Sequence, residues 1–359
     1  MKKICILSAV NIRHMTLISL YTERLKRDGI DYDIIYMDKY GKDEEFDAKN
    51  KYVFTNIINQ SSSRLKKGLQ YFKFKKFAIP ILEMNKYDFI IVWNDVAIFM
   101  FAPYLAKKWK GRYCLNIRDY MYEKNLYIYL RFKRVINNSA FTTISSEGFK
   151  KFLPHCVYLH VHSYNKKILD AVTTRLNFRE NGKPIRITFI GYVRYYEINK
   201  KLCEIFKNDS RFELHYYGTN AEYLEKYSEE KGIQNVTFFN TFPVSETAKY
   251  IAKTDIINNL YGNDNINLQN AVSIKLYYGI CNRTPILVFK DTYMAEVTSR
   301  YGISFVVDKI DTFLPDKIYE WYSTLDYDVF NKNCERALHD IEQNHKDFED
   351  EYVKHILGS

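Results

Sequence analysis

The stretch Ile185–Arg194, IRITFIGYVR, combines three features that together suit an anion. Its alternating apolar run reads as a buried strand, Gly191 ends that strand, and Arg194 follows three residues later. A strand that turns at glycine into a helix leaves unpaired backbone N–H groups at one point. An arginine beside them can fork onto a phosphate. Other apolar runs also end in polar pairs: Asn94-Asp95 follows Tyr87–Trp93 (YDFIIVW), and Arg118-Asp119 follows Tyr113–Ile117. In open parallel sheets, ligands bind beyond the carboxyl ends of the strands, which is where these pairs fall. Metal chemistry has no comparable signal. His155, His160 and His162 lack the HExxH spacing, and the six cysteines form neither a CxxC pair nor a Cys/His ligand set.

Positioning such residues takes strands alternating with helices. In the first half, strands are expected at Lys3–Ala9, Tyr32–Met37, Tyr52–Ile57, Tyr87–Trp93, Tyr113–Ile117, Phe141–Ile144 and Cys156–Val161. Helices are expected at Asn11–Gly29, Ser61–Asn85, Val96–Lys108, Asn125–Val135 and from Ser146. Thr173–Pro184 (TTRLNFRENGKP) loses periodicity and is rich in turn residues, so it reads as a linker. The alternation then resumes, with strands at Arg186–Ile190, Phe212–Tyr217, Asn235–Phe239, Asp255–Asn258, Pro285–Phe289 and Ile303–Val306. The intervening helices fall near Ile198–Phe206, Ala221–Lys231, Ser245–Ala252, Ser273–Ile280 and Tyr293–Tyr301, and two more, Thr312–Thr324 and Tyr327–Val353, close the chain. This spacing predicts an α/β protein with two doubly wound, mainly parallel sheets. The domains are expected over 1–172 and 185–324, joined by a linker over 173–184, with closing helices over 325–359 packing back on the first domain.

At 47% apolar and 27% charged residues the chain is globular, and each half is large enough for a core of its own. Scattered cysteines predict buried free thiols in a reducing compartment. The start, MKKICILSAVNIRH, opens like a signal peptide, but Asn11, Arg13 and His14 end its apolar run too early. Phe89–Ala106 is broken by Asn94 and Asp95 below the ~20 residues of a membrane span. A cytoplasmic location is expected, with peripheral attachment to the inner face of the membrane as an extension of it.

The net charge of +10 calls for an anionic partner. No zinc finger, RNP run or helix-turn-helix pattern points to nucleic acid. The charge concentrates instead in Ser61–Asn85, where Arg64, Lys66, Lys67, Lys73, Lys75 and Lys76 precede the first acid, Glu83, with Leu65, Leu69, Phe72 and Phe77 among them. Asn125–Val135 (NLYIYLRFKRV) repeats the mixture. Basic helices with an apolar face suit an anionic membrane surface; a solvated helix packing that face on the core is the alternative.

Five segments of the second half, in order, resemble the C-terminal domain of GT-B fold glycosyltransferases. They are FIGYVR (Phe189–Arg194), ELHYYG (Glu213–Gly218), NVTFFNTF (Asn235–Phe242), KTDIINNLY (Lys253–Tyr261) and SIKLYYGICNRTPILV (Ser273–Val288). The nearest relatives by this pattern are the family-four-like enzymes of bacterial capsular and surface polysaccharide synthesis. The resemblance covers about 185–308, and the first half by layout. It implies two Rossmann-like domains facing across a cleft, a nucleotide-sugar donor on the second domain, no metal or other cofactor, and a saccharide or lipid-linked saccharide acceptor. Metal-independent enzymes of this kind neutralise the departing nucleoside diphosphate with basic side chains and backbone amides. On this chain the resemblance assigns the diphosphate to Arg194, with Lys275 and Lys200, and to Gly191 for close approach. Tyr217, Gly218, Thr241 and Phe242 would border the base, and Ser273 opens the helix beside the phosphates.

One departure stands out. The family places two glutamates eight positions apart around this helix, the second accepting the ribose hydroxyls. Here those positions hold Asn270 and Tyr278, which can still hydrogen-bond a ribose. Asn258, Asn259, Tyr261, Asn263, Asn265 and Asn267 form a polar, turn-prone stretch just before them. The acceptor's general base is expected in the first domain. Asp119 leads, because IRDYMYE places Arg118, Asp119 and Glu123 on one strand-end loop, and Asp95 and His14 follow. A nucleotide-sugar epimerase of similar fold, and a binding or scaffold subunit that has lost the glutamate pair, are the alternatives.

Overall fold

The computed structural model describes residues 2–15, 17–57, 64–119, 125–164, 166–178 and 182–358, with backbone alone over 64–67. The expectations for Glu123, for residues 61–63 of the basic helix and for 179–181 of the linker therefore lie outside the described residues. The chain divides into two compact units, 1–163 with 343–359, and 164–342.

The first unit is built on seven parallel strands: β1 Ile4–Ser8, β2 Tyr32–Asp38, β3 Asn50–Thr55, β4 Phe89–Trp93, β5 Tyr113–Ile117, β6 Phe141–Ile144 and β7 Leu159–His160. Their order is β3-β2-β1-β4-β5-β6-β7. Strands β1, β2, β4 and β5 are buried at every residue, as unbroken apolar runs covered by helices on both faces should be. The order reverses between β1 and β4, and Ser8 stands opposite both Tyr36 and Trp93. The residues that follow β1, β2, β4 and β5 therefore emerge along one edge.

The single helix expected over Asn11–Gly29 is a 3₁₀ turn, Ile12–His14, followed by a separate helix, Ser19–Arg27, with Leu17 left-handed (φ 69°) between them. The reason is remote in sequence. Buried Glu44 accepts from the Ile12 backbone N–H (2.7 Å), Arg13 Nε (2.5 Å) and Asn11 Nδ2 (3.2 Å), and Asn11 also donates to Asp38 (2.7 Å). These bonds fasten the turn to the loop after β2 and compete with helix formation there. The strand expected over Cys156–Val161 shrinks to the two residues of β7, and the helix from Ser146 is a short 3₁₀ turn, Glu147–Lys151.

The second unit repeats the plan with β8 Ile185–Ile190, β9 Phe212–Tyr217, β10 Val236–Phe239, β11 Ile256–Asn259, β12 Ile286–Phe289 and β13 Ser304–Val307. Their order is β10-β9-β8-β11-β12-β13, all parallel. Alternation along β8 sends Ile185, Ile187 and Phe189 into one core with Leu202, Phe206 and Tyr216, while Ile190 joins Tyr217, Tyr277 and Ile286 in the other. All six cysteines are free, with Cys5, Cys114, Cys203 and Cys334 buried.

Helix Tyr327–Tyr352 serves both units. Phe330, Cys334, Ala337 and Ile341, at helical spacing, enter the second unit's core. Phe348, Tyr352 and Ile356 enter the first unit's, where Phe348 meets Tyr21 edge-on at 5.2 Å. Phe348→Ala should destabilise the first unit by about 3–5 kcal/mol, read as a lower denaturant midpoint at unchanged m-value. A shift below 1 kcal/mol would remove this ring from the core's support.

Candidate functional site

In the second unit the candidates lie at the carboxyl edge of the sheet. Gly191 (φ 117°) ends β8, and its N–H donates to the Tyr217 carbonyl at 2.9 Å. Val193 N–H donates to the Thr219 carbonyl at 2.9 Å, so the loops after β8 and β9 run side by side. Gly218 (φ 143°) permits this approach: a Cβ there would lie 1.9 Å from the Gly191 carbonyl oxygen. Helix Tyr196–Ile205 starts from a left-handed Tyr195, and Asn199, wholly buried in its first turn, donates to the carbonyls of Arg194 (2.6 Å) and Tyr195 (3.2 Å). The turn so shaped leaves Arg194 exposed, its guanidinium over the Tyr192 ring at 5.1 Å.

Lys275, by contrast, is 1% exposed. Its Nζ donates to the Asn258 carbonyl (2.8 Å) and lies 3.4 Å from the centroid of Phe189 and 4.8 Å from that of Tyr261. Tyr261 packs against Tyr195 (5.1 Å), is hydrogen-bonded by Ser273, feels the charge of Arg194 and couples electrostatically to Tyr278. Burial drives the Lys275 ammonium well below the ordinary lysine pKa, and no carboxylate among the described residues meets it. Arg194, Ser273, Lys275 and Tyr278 thus gather around Tyr261, a residue that the sequence grouped with a polar loop. Tyr278 is itself buried, and its hydroxyl is pushed up to about 12 by desolvation. Asn270 is buried too, and donates to the Ile266 carbonyl (2.9 Å) in a short helix, Ile266–Asn270, formed within the expected loop.

A second group forms where β9 and β10 end. Tyr250, which the sequence did not single out, packs against Tyr217 (4.6 Å) and Phe242 (4.5 Å), while Thr241 shares a hydrogen bond with Thr219 (2.9 Å). Lys200 stands apart from both groups. It pairs with Glu197 at 3.3 Å and sits over the rings of Tyr196 and Tyr227, on the outer side of its helix.

In the first unit, Asn94 rather than Asp95 caps helix Asp95–Lys108, accepting from Ala97 N–H (2.9 Å) with a positive φ of 70°. Asp95 is left with its carboxylate raised to about 6, chiefly by burial and further by the charge of Asp119, while Lys39 opposes the shift. Asp119 is raised by burial too, against the pull of Arg118. Arg118 itself lies over Trp93 (5.9 Å) and donates to Ser163 (2.5 Å). Burial lowers Lys39, which reaches the Tyr71 hydroxyl at 3.4 Å. The structure therefore brings Asp95 and Asp119 into one electrostatic group with Lys39, which the sequence had not indicated. His14 lies elsewhere on that edge, exposed, with Nε2 2.9 Å from the Tyr40 hydroxyl. Among the described residues, no group of three or more His, Cys, Asp or Glu is arranged to hold a metal ion. No helix among them is long and apolar enough to cross a membrane.

No family model matches the chain, and no curated protein matches it in sequence. Its fold does have counterparts among solved structures. Sucrose-phosphate synthase from Thermosynechococcus elongatus is similar with a TM-score of 0.70 over 100% of both chains at 11% identity. The lipopolysaccharide outer core galactosyltransferase WaaB gives 0.62 over 98% of this chain and 99% of its own at 13% identity. A putative UDP-N-acetylglucosamine 2-epimerase from Listeria monocytogenes gives 0.64 over 100% and 98% at 9% identity. The likeness shows the fold: two Rossmann-like α/β domains of the GT-B type, shared by glycosyltransferases and epimerases.

The glycine contact makes a sharp test of the paired loops after β8 and β9. Gly218→Ala must push the Gly191 carbonyl aside, so it should lower the second unit's stability by about 1–3 kcal/mol, the usual range of an overpacked or strained site. Gly182→Ala, at a positive φ but with open space around it, should cost less. Equal losses in denaturant titrations would mean that the loop contact adds nothing beyond backbone strain.

Proposed function

We propose that the chain is a metal-independent glycosyltransferase that moves a sugar from a nucleotide diphosphate to a hydroxyl of a saccharide or lipid-linked saccharide. The observation that carries this reading is Lys275. An ammonium removed from water without a carboxylate partner opposes folding, and such groups cluster at functional sites. It lies 4.8 Å from the Tyr261 ring, whose hydroxyl also feels the charge of Arg194, at the edge where a parallel sheet binds its ligand. In the reaction the acceptor oxygen bonds to the anomeric carbon and the bond from that carbon to the diphosphate breaks. The leaving group gathers negative charge, which Arg194, the Gly191 loop amides and Lys275 offset. Tyr217, Gly218, Thr241 and Phe242 suit the base, and Asn270 and Tyr278 the ribose in place of the family's glutamates. Lys200 serves the diphosphate only if its pairing with Glu197 opens.

The acceptor's proton is assigned to the first unit's carboxylate pair, Asp119 as base with Asp95 beside it, and His14 is the reserve candidate. A family-four-like role in bacterial surface polysaccharide synthesis, on the cytoplasmic side of the membrane, fits the basic helices; WaaB, by its name, acts on lipopolysaccharide outer core. The structural likeness to an epimerase favours a second reading, in which the same groups isomerise a nucleotide sugar without an acceptor. Proton NMR of a panel of nucleotide sugars with and without saccharide acceptors separates the two.

Arg194→Ala should weaken UDP binding by ~1.5–3 kcal/mol, the size of a charged hydrogen bond, in calorimetric titration. Lys275→Met removes a costly buried charge and should melt no lower than the parent, yet lose at least tenfold in UDP affinity. Full affinity in both variants would remove the phosphate site from this edge. Asp119 must be ionised to act as base, and burial raises its carboxyl above the ordinary value against the pull of Arg118, so the acid limb of kcat/KM should lie above that of a free carboxylate. Asp119→Asn should cut kcat and leave donor affinity unchanged; retained turnover would dismiss it as base.

A further inference from the structure

Three helices of the first unit, Arg64–Met84, Asp95–Lys108 and Leu126–Ile136, line a half-open cavity of about 400 Å³, within the range of small-molecule sites. Its wall is mostly apolar and aromatic, formed by Tyr71, Phe72, Phe99 and Ile128 among others. Two cations from different helices, Lys75 and Arg131, line it as well. Arg131 is fixed by the carbonyls of Phe99 (2.9 Å) and Met100 (3.4 Å) and by the Tyr127 hydroxyl (2.6 Å), so no carboxylate among the described residues neutralises it. Lys75 has neither a hydrogen bond nor an ion pair among them. Burial and the neighbouring guanidinium hold its ammonium below the ordinary lysine value. The three helices carry eleven Lys and Arg against two acids, Glu83 and Asp95. Phe72, on the wall, is 56% exposed, and Leu69 and Leu130 stand out into solvent from the same helices.

The cavity also approaches Asp95. Val96, which lines it, follows Asp95 directly, and Tyr71, on the wall, meets Lys39, whose charge acts on Asp95. Two unneutralised cations in apolar surroundings call for an anion that brings apolar surface with it. Free phosphate would leave the aromatic wall without a purpose, and a neutral chain would leave the cations unpaired. If a methylene takes about the ~30 Å³ that a water occupies in the liquid, the cavity holds about a dozen chain carbons. That is one chain, not the two of a bilayer phospholipid.

We infer that this cavity seats a lipid phosphate, with a single prenyl or acyl chain in the apolar space and the phosphate between Lys75 and Arg131. Its identification as the carrier of the acceptor rests on the transferase reading; its binding does not. The fork of Arg131 and the point charge of Lys75 suit a terminal phosphate, and the exposed Phe72, Leu69 and Leu130 suit the bilayer from which such a chain is drawn.

The test uses the full chain and calorimetric titration with dodecyl phosphate below its micellar concentration, beside dodecyl glucoside and inorganic phosphate. Dodecyl phosphate should bind at least tenfold more tightly than either. Lys75→Gln with Arg131→Gln should abolish the preference over the glucoside, and Ile128→Trp, which fills the space, should abolish binding of both amphiphiles. Should Ile128→Trp fail to fold, Lys75→Gln alone, at a half-buried position, should still lower dodecyl phosphate affinity severalfold. Binding that is undetectable, matched by inorganic phosphate, or indifferent to these substitutions overturns the inference. Sedimentation with phosphatidylglycerol vesicles that survives Ile128→Trp while dodecyl phosphate binding is lost supports a chain seat distinct from surface adhesion. UDP is titrated in parallel. UDP binding without dodecyl phosphate binding overturns this inference and leaves the transferase reading intact, whereas the reverse sinks that reading and leaves the lipid site standing.

Discussion

The ammonium of Lys275 lies out of water, on the ring of Phe189, with one backbone carbonyl for company. That arrangement constrains everything around it. The carbonyl belongs to Asn258 near the end of β11, and the ring belongs to β8, the strand beside it, so the charge sits at the switch point of the second sheet. Tyr261 covers it, Tyr195 packs on Tyr261, and Asn199 shapes the turn from which Arg194 reaches solvent. A hydrophobic residue at 275 would fold at least as readily. What the lysine supplies is an amine in a medium of low dielectric, whose charged form an anion at the sheet edge would favour.

The first unit holds a charge problem of the opposite sign. Burial raises both Asp95 and Asp119, and the charge of Asp119 makes Asp95 harder still to ionise. A carboxyl whose folded pKa lies above its unfolded value favours the fold while protonated, and that contribution is lost as pH rises through the folded value, near 6 for Asp95. Near neutrality the pair therefore works against stability. Lys39, drawn into the same region from the loop after β2, limits the effect. Destabilising charge sits at the carboxyl edge of each sheet, where a doubly wound fold exposes its loops to a ligand. The well-paired buried charges lie elsewhere: Asp255 is met by both Arg175 and Arg186, which keep its pKa low. Contrast between these two kinds of burial separates scaffold from site.

Several site features were legible in the chain because they are local. The glycine after β8, the arginine beyond it and the acids after β4 and β5 follow from where apolar runs stop. Others were not. Lys275 reads as a residue on the first turn of a helix, and nothing nearby in sequence shows that its side chain turns inward to Asn258. Tyr261 and Tyr250 looked like members of a loop and a short helix, because an aromatic residue's partners in a sheet-edge cluster come from four or five separate segments. Lys200 has the right spacing from Arg194, but Glu197 and the rings of Tyr196 and Tyr227 hold it on the helix surface. The break at Leu17 was hidden for the same reason: Glu44, which organises it, lies after the following strand.

The amino-acid sequence by itself determined the strands and nearly all the helices, their alternation and hence the two parallel sheets, since unbroken apolar runs can be buried only with helices on both faces. It also determined the excess of positive charge on two basic, aromatic-rich segments. Tertiary structure alone decided which charges are stranded and which are paired. Desolvation and Coulomb energy depend on distances between atoms far apart in the chain, and residue order does not encode those distances until the sheets have formed.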